Sequence, residues 1–242
     1  MQLSQLSLAD PLAMDWHSRR SLLQLHVLFL GLLIEPYRKG LVNIGKYRLN
    51  NNVDPTALED LEALKNLEEQ CVLAARQSAR VVSLLQTDNS IRSRCWVSVY
   101  VNSSTHDSTS SNAKYCLRYT SFTGCAVLLY SASQKLIQLL GEETSQDLLY
   151  ASSHLNVLSL CSYDNGVARN LYITLQILFN DIREIVVSPV YYRMRELHLA
   201  ITDVALVQPS RYDAVKGAAE VSKNIVELTR RIMDVLQEKL SF

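Results

Sequence analysis

Residues 21–38 read SLLQLHVLFLGLLIEPYR, and a nearly unbroken apolar run of this kind fits only three arrangements: a secretory leader, a membrane span or a buried helix. Arg19-Arg20 ahead of it resemble the opening of a signal peptide, but no small-x-small cleavage site follows, only EPYRKG. From Leu22 to Ile34 the run is interrupted by Gln24 and His26 and falls short of the roughly 20 residues that span a bilayer. The reading that remains is a core helix over about 15–34, hydrophobic nearly all round and ended by the helix-breaking Pro36. His26, on an apolar face, is then expected to be a satisfied core residue and not a general base or a ligand.

The composition points the same way. Of 242 residues, 48% are hydrophobic and only 7 are Gly and 5 Pro, the profile of a compact helical protein and not of a turn-rich β protein or a disordered chain. The expected fold class is all-α, an irregular array of about six to eight helices in a single domain over residues 1–242. Lys+Arg and Asp+Glu balance at 24 each, so no whole-molecule field draws the chain to phosphate backbones or anionic lipid. Neither nucleic acid nor membrane is an expected direct partner. The cysteines at 71, 95, 116, 125 and 161 are odd in number and contain no C-x-x-C pair, which points away from a disulfide framework or a zinc site and towards small buried hydrophobes in a reducing compartment.

Along the chain, KGLVNIGKYRLNNN at 39–52 has the Gly/Asn content of a connector. Asp54 then stands as a cap before Pro55, and apolar residues recur from Leu58 through Leu61, Leu64, Leu67 and Cys71 to Leu85 at the three-and-four spacing of one helical face. Residues 87–113 carry a Ser/Thr/Asn tract without periodicity, read as a flexible surface insertion. Helical patterning resumes from about Lys114 and is expected to end at Gly141. Thr144 and Asp147 have the spacing of a capping box for a helix over 145–160. Further helices are expected over 167–187, stopped by Pro189, over 190–207, and from Ser210-Asp213 onward with Val215, Ala218, Ile225, Leu228 and Ile232 on one side. No fixed-period repeat and no coiled-coil-length heptad is present.

The motifs that carry chemistry are sparse. His17, His26, His106, His154 and His198 are scattered and none sits in a metal-ligand spacing. No G-x-S-x-G elbow and no phosphate-cradling glycine cluster occurs. A helical isoprenoid-type enzyme would hold Mg²⁺ with aspartate clusters, and the nearest counterpart is NDIRE at 180–184, where only Asp181 and Glu184 are acidic; a solvated helix face is the simpler reading. The basic RSR at 92–94 beside Trp96 and the sequon at Asn102 are read as exposed loop features. No catalytic, cofactor-binding or metal-ligating residue is nominated.

Several stretches, taken in order, resemble the helical regulatory region of fungal transcription factors that carry a binuclear zinc cluster. LLQLHVLFLGLLIEPYR at 22–38 is similar to that family's LHLLYHALLILLHRPF-like helix in apolar pattern, in His26 and in the Pro36-Tyr37 stop, with Glu35 where the family has arginine. CVLAARQSARVVSLL is similar to its cysteine-led helix through Cys71, Ala74, Ala75, Ala79, Leu84 and Leu85. YTSFTGCAVLLYSA at 119–132 resembles its aromatic-led, small-residue helix, and 147–178 its following helix pair, opened in the second member by Ala168-Arg169. The likeness covers about residues 16–187 and looks like the C-terminal portion of such a region. It implies a nuclear protein, not an enzyme, that controls transcription through the transcription machinery or a regulatory protein, with a small-molecule effector or a homodimer as possible modes. The family's six-cysteine zinc cluster has no counterpart in this sequence, so zinc is not carried over to any residue. The classes set against this reading are the metal-dependent isoprenoid-type enzyme and a free-standing helical adaptor. If earlier helices of the region are missing, the apolar face of 22–34 is expected to stand partly uncovered.

Overall fold

The computed structural model describes residues 15–50, 58–87, 116–163, 166–197 and 216–237. Within them the fold is all-α. The helices are α1 (Trp16–Ile34), α2 (Arg38–Asn50), α3 (Leu58–Thr87), α4 (Cys116–Ile137), α5 (Gly141–Ser162), α6 (Gly166–Val186), α7 (Pro189–Glu196) and α8 (Ala218–Gln237), with a 3-10 turn (Glu35–Tyr37) between the first two. Of the insertion expected at 87–113, Thr87 is the last residue of α3 and the rest lies outside the described residues, as do the Asp54-Pro55 start and the Ser210-Asp213 start. Among those described, no helix is long and apolar enough to cross a membrane.

The array is organised around α4. Every residue from Thr120 to Gln134 is buried, because α1, α3, α5, α6 and α8 all pack against this one helix. Small side chains make such crowding possible. A Cβ on Gly31 of α1 would lie 2.6 Å from Thr120 Oγ1, and one on Gly124 of α4 would lie 2.7 Å from His154 Nε2, distances that no real side chain tolerates. Two of the hydroxyls buried with α4 are satisfied within the helix: Thr123 Oγ1 donates to Tyr119 O at 3.0 Å and Ser133 Oγ to Tyr130 O at 2.8 Å. These two therefore add little polar cost to an apolar interior, whereas Ser121 Oγ and Tyr130 Oη are buried without a hydrogen-bond partner among the described residues.

Four expectations are corrected. The first helix is not an interior rod. Asp15 caps it, accepting from Ser18 N at 2.9 Å, but α1 lies on the rim, runs antiparallel to α3 and buries only the stripe Val27, Leu30, Gly31 and Ile34. Leu22, Leu25, Phe29, Leu32 and Leu33 face outward, and His26 is exposed with them. A helix packed from one side buries one stripe whatever its composition.

The 39–52 connector is helix for most of its length. Pro36 does not end the helical path; it opens a 3-10 turn that leads into α2, where a missing amide costs nothing at a first turn. Leu41, Val42 and Ile44 are buried, and Gly45 is where a Cβ would collide with Met233 Sδ and come within 3.0 Å of Tyr130 Cε2. Close packing on α4 and α8 thus outweighs the low helix propensity of glycine and asparagine.

Gly141 does not end α4. It opens α5, and the left-handed residue that closes α4 is Leu139, with φ 61°. Leu140 N bonds Lys135 O at 2.8 Å and Leu139 N bonds Leu136 O at 3.1 Å, the double closure usually built on glycine. Arg195 of α7 then donates from Nε to Leu139 O at 3.1 Å, and its guanidinium occupies the space a Cβ on Gly141 would need.

Thr144 and Asp147 form no capping box. Thr144 Oγ1 donates back to Leu140 O at 2.8 Å. Asp147 is wholly buried and points into the core, where Ser131 Oγ donates to Oδ2 at 2.7 Å, Lys135 Nζ lies 2.8 Å from Oδ2 and Arg76 Nη2 lies 2.7 Å from Oδ1. One carboxylate therefore ties α3, α4 and α5 together.

Candidate functional site

A cleft of about 700 Å³ opens where the 3-10 turn and α2 meet the start of α4 and the end of α8. Its wall is built on Arg38, which is 6% exposed. The last carbonyls of a helix have no partner within the helix and carry partial negative charge. Arg38 meets the end of α8 directly, donating from Nη2 at 2.6 Å and from Nε at 3.1 Å to Leu236 O. Its third nitrogen, Nη1, donates to Tyr119 Oη at 2.6 Å and to Glu35 Oε1 at 3.1 Å. Tyr119 in turn donates to Glu35 Oε2 at 2.6 Å. Burial, reinforced by this bond to Glu35 and opposed by Arg38, pushes the Tyr119 phenol up to about 12, so it acts as a donor at every physiological pH.

The opposite rim is supplied by α2. Lys39, Asn43 and Lys46 follow at the four-and-three spacing of one helical face and line the cleft over Val42. Lys46 Nζ reaches Gln237 Oε1 at 3.1 Å, linking the two sides. Arg38, Lys39 and Lys46 stand against the single carboxylate of Glu35 among the lining residues. The cleft is therefore locally positive in a chain whose formal net charge is zero, and the chemistry it offers is recognition of a small anion by ammonium groups and an amide.

A second, shallower groove of about 360 Å³ lies between α6 and α8 and contains the acidic pair singled out from the sequence, Asp181 and Glu184, with Glu227 and Arg231. Asp181 is committed to Arg231, whose Nη1 lies 2.8 Å from Oδ2. Among the described residues no group of three or more His, Cys, Asp or Glu side chains is placed to hold a metal ion.

The histidines divide. His17 and His26 are exposed, while His154 is wholly buried, with Nε2 3.4 Å from Ala75 O and Nδ1 without a hydrogen-bond partner. Burial pushes its imidazole down to about 4, so the ring is neutral at pH 7 and serves packing between α4 and α5. Cys71, Cys125 and Cys161 are free and buried, as expected of small hydrophobes. Burial, assisted by the nearby Glu68 carboxylate, pushes the Cys71 thiol up to about 12, and burial pushes that of Cys125 up as well. His106, His198, RSR at 92–94, Trp96 and Asn102 lie outside the described residues.

Sequence reasoning did not reach the cleft, because it assigned 39–52 to a loop and so gave Lys39, Asn43 and Lys46 no common face. Their spacing was the available signal. The chain matches no protein-family model, no curated protein and no solved structure.

Proposed function

We propose that this chain is a regulatory helical domain that controls transcription in response to a small organic anion held in the cleft between α2 and α8. The likeness of residues 16–187 to the regulatory region of fungal zinc-cluster factors supplies the class, and with it a nuclear setting and a partner in the transcription machinery. The observation that carries the effector reading is the local excess of cations, Arg38, Lys39 and Lys46 against Glu35, around an accessible cleft of about 700 Å³. Such a ligand would touch two elements at once. Lys46 already bridges to Gln237 at the end of α8, and Arg38 joins that same end to the turn leading out of α1. A ligand that prefers one spacing of α2 and α8 shifts the population towards it.

The test is a fusion of the whole chain to a heterologous DNA-binding domain, read on a reporter gene in cells grown on different carbon and nitrogen sources. Reporter output that differs from the DNA-binding domain alone, and loses its nutrient dependence in Lys39→Glu with Lys46→Glu, is the expected result. Output equal to the unfused control under every condition would overturn the proposal.

A further inference from the structure

The two lysines of the cleft are spaced for two charges on one ligand. Lys39 and Lys46 stand seven residues apart on α2, close to two full turns. Their side chains therefore leave the helix within about 20° of each other and about 10 Å apart along its axis. Both line the cleft and both are exposed. Asn43 lies between them on the same face, and Val42 and Pro36 give the wall its apolar part.

The charges of the lining residues sort into two groups. Arg38 and Glu35 neutralise each other, with Nη1 3.1 Å from Oε1, and Arg38 is otherwise turned to Leu236 O and Tyr119 Oη. What remains is one ammonium at each end of the row. Lys46 is steadied at 3.1 Å by Gln237 Oε1, a neutral group that leaves its charge unmatched. Lys39 and Asn43 enter no hydrogen bond or ion pair among the described residues.

A ligand with one anionic group meets one lysine and leaves the other to water. A ligand with two meets both, the second contact following the first within one complex. A carboxylate, with one negative charge, matches one ammonium. A phosphate monoester carries about −1.5 to −2 at pH 7, and its surplus charge is repelled by the Glu35 carboxylate in the same wall. We propose that the cleft selects a linear dicarboxylate whose acidic groups, about 8–10 Å apart, sit on Lys39 and Lys46 with the methylene stem over Val42 and Pro36. At about 700 Å³ the cleft has room for such a molecule, since small-molecule sites usually run to roughly 300–1,000 Å³. This selectivity rests on the cleft being a site for small anions and narrows that ligand to one class.

Isothermal titration calorimetry of the full chain at low ionic strength, with octanedioate, its monomethyl ester, butanedioate and inorganic phosphate, tests the spacing. Octanedioate has the length to reach both lysines. Its monoester has the length and one charge, and butanedioate has both charges without the length. The expected result is octanedioate binding about 5-fold or more tighter than the other three, the worth of a second charge-assisted contact at a partly open site. Lys39→Met and Lys46→Met, each at an exposed position, should bring octanedioate level with its monoester, and circular dichroism checks that both keep their helix content. Octanedioate level with any of the other three on the native chain, or an advantage that survives in either variant, overturns the dicarboxylate assignment and leaves the anion site standing. Affinity for all four unchanged in both variants, or no binding of any of them at millimolar concentration by calorimetry or ligand-observed NMR, overturns the anion site as well.

Discussion

Lowering the pH should destabilise this protein through His154. The imidazole is wholly buried between α4 and α5, next to Gly124, and burial holds it at about 4 against an ordinary 6.5. A histidine that protonates less readily when folded stabilises the native state fully above pH 6.5. That contribution is lost as pH falls from 6.5 towards 4, because only the unfolded chain takes up the proton. The full difference corresponds to about 3 kcal/mol, and about 2 kcal/mol of it is lost by pH 5. Urea unfolding at intervals from pH 7.5 to 4.5, on the native chain and on His154→Leu, isolates the term. Leucine packs in the same apolar setting and does not titrate, while acid effects from carboxylates are common to both proteins. The native curve should fall more steeply by about 2 kcal/mol between pH 7.5 and 5. Parallel curves, or an imidazole resonance of the folded protein titrating near 6.5, would show that His154 is solvated and the packing around Gly124 is not as described.

Two further substitutions probe the polar joints. Asp147→Asn removes the carboxylate that Lys135 and Arg76 share; both cations keep some solvent contact, so the loss should be about 2–3 kcal/mol and not the larger cost of a fully stranded buried charge, measured by urea midpoint. Arg38→Met frees Leu236 O, and amide exchange in the last turn of α8 should accelerate about 10-fold or more while α4 and α5 are unchanged, the equivalent of about 1.5 kcal/mol or more from charge-assisted bonds.

The helices that were legible in the sequence are those whose pattern is carried by their own residues. α3 follows its three-and-four spacing through Cys71, Ala75, Val82 and Leu85, and α8 buries Ala218, Ile225, Leu228 and Ile232 as the pattern requires. What escaped depends on distant partners. α2 is helical because Gly45 fits against Met233 and Tyr130, residues far away in the chain. The left-handed residue that closes α4 is Leu139 and not Gly141, and Arg195 takes the Leu139 carbonyl and the space beside Gly141. Asp147 sits at a capping position by sequence, yet its charge is claimed by Arg76 from α3. The run at 21–34 has no polar face to orient it, so composition alone could not tell an inner helix from an outer one. The partly uncovered face expected of it is present, whereas the cleft required α2, α4 and α8 to converge and left no local trace beyond Lys39, Asn43 and Lys46.

From Thr120 to Gln134, α4 is hemmed in on every side, and no position there takes a larger side chain cheaply. A larger residue at Gly124 strikes an imidazole, while Thr123 and Ser133 turn their hydroxyls back on their own backbone and could give them up at little polar cost. Sequences that drift from this one should therefore keep the girth of α4 long after they have abandoned its chemistry, and descent would be traced by side-chain volume along this helix where letter-by-letter comparison fails.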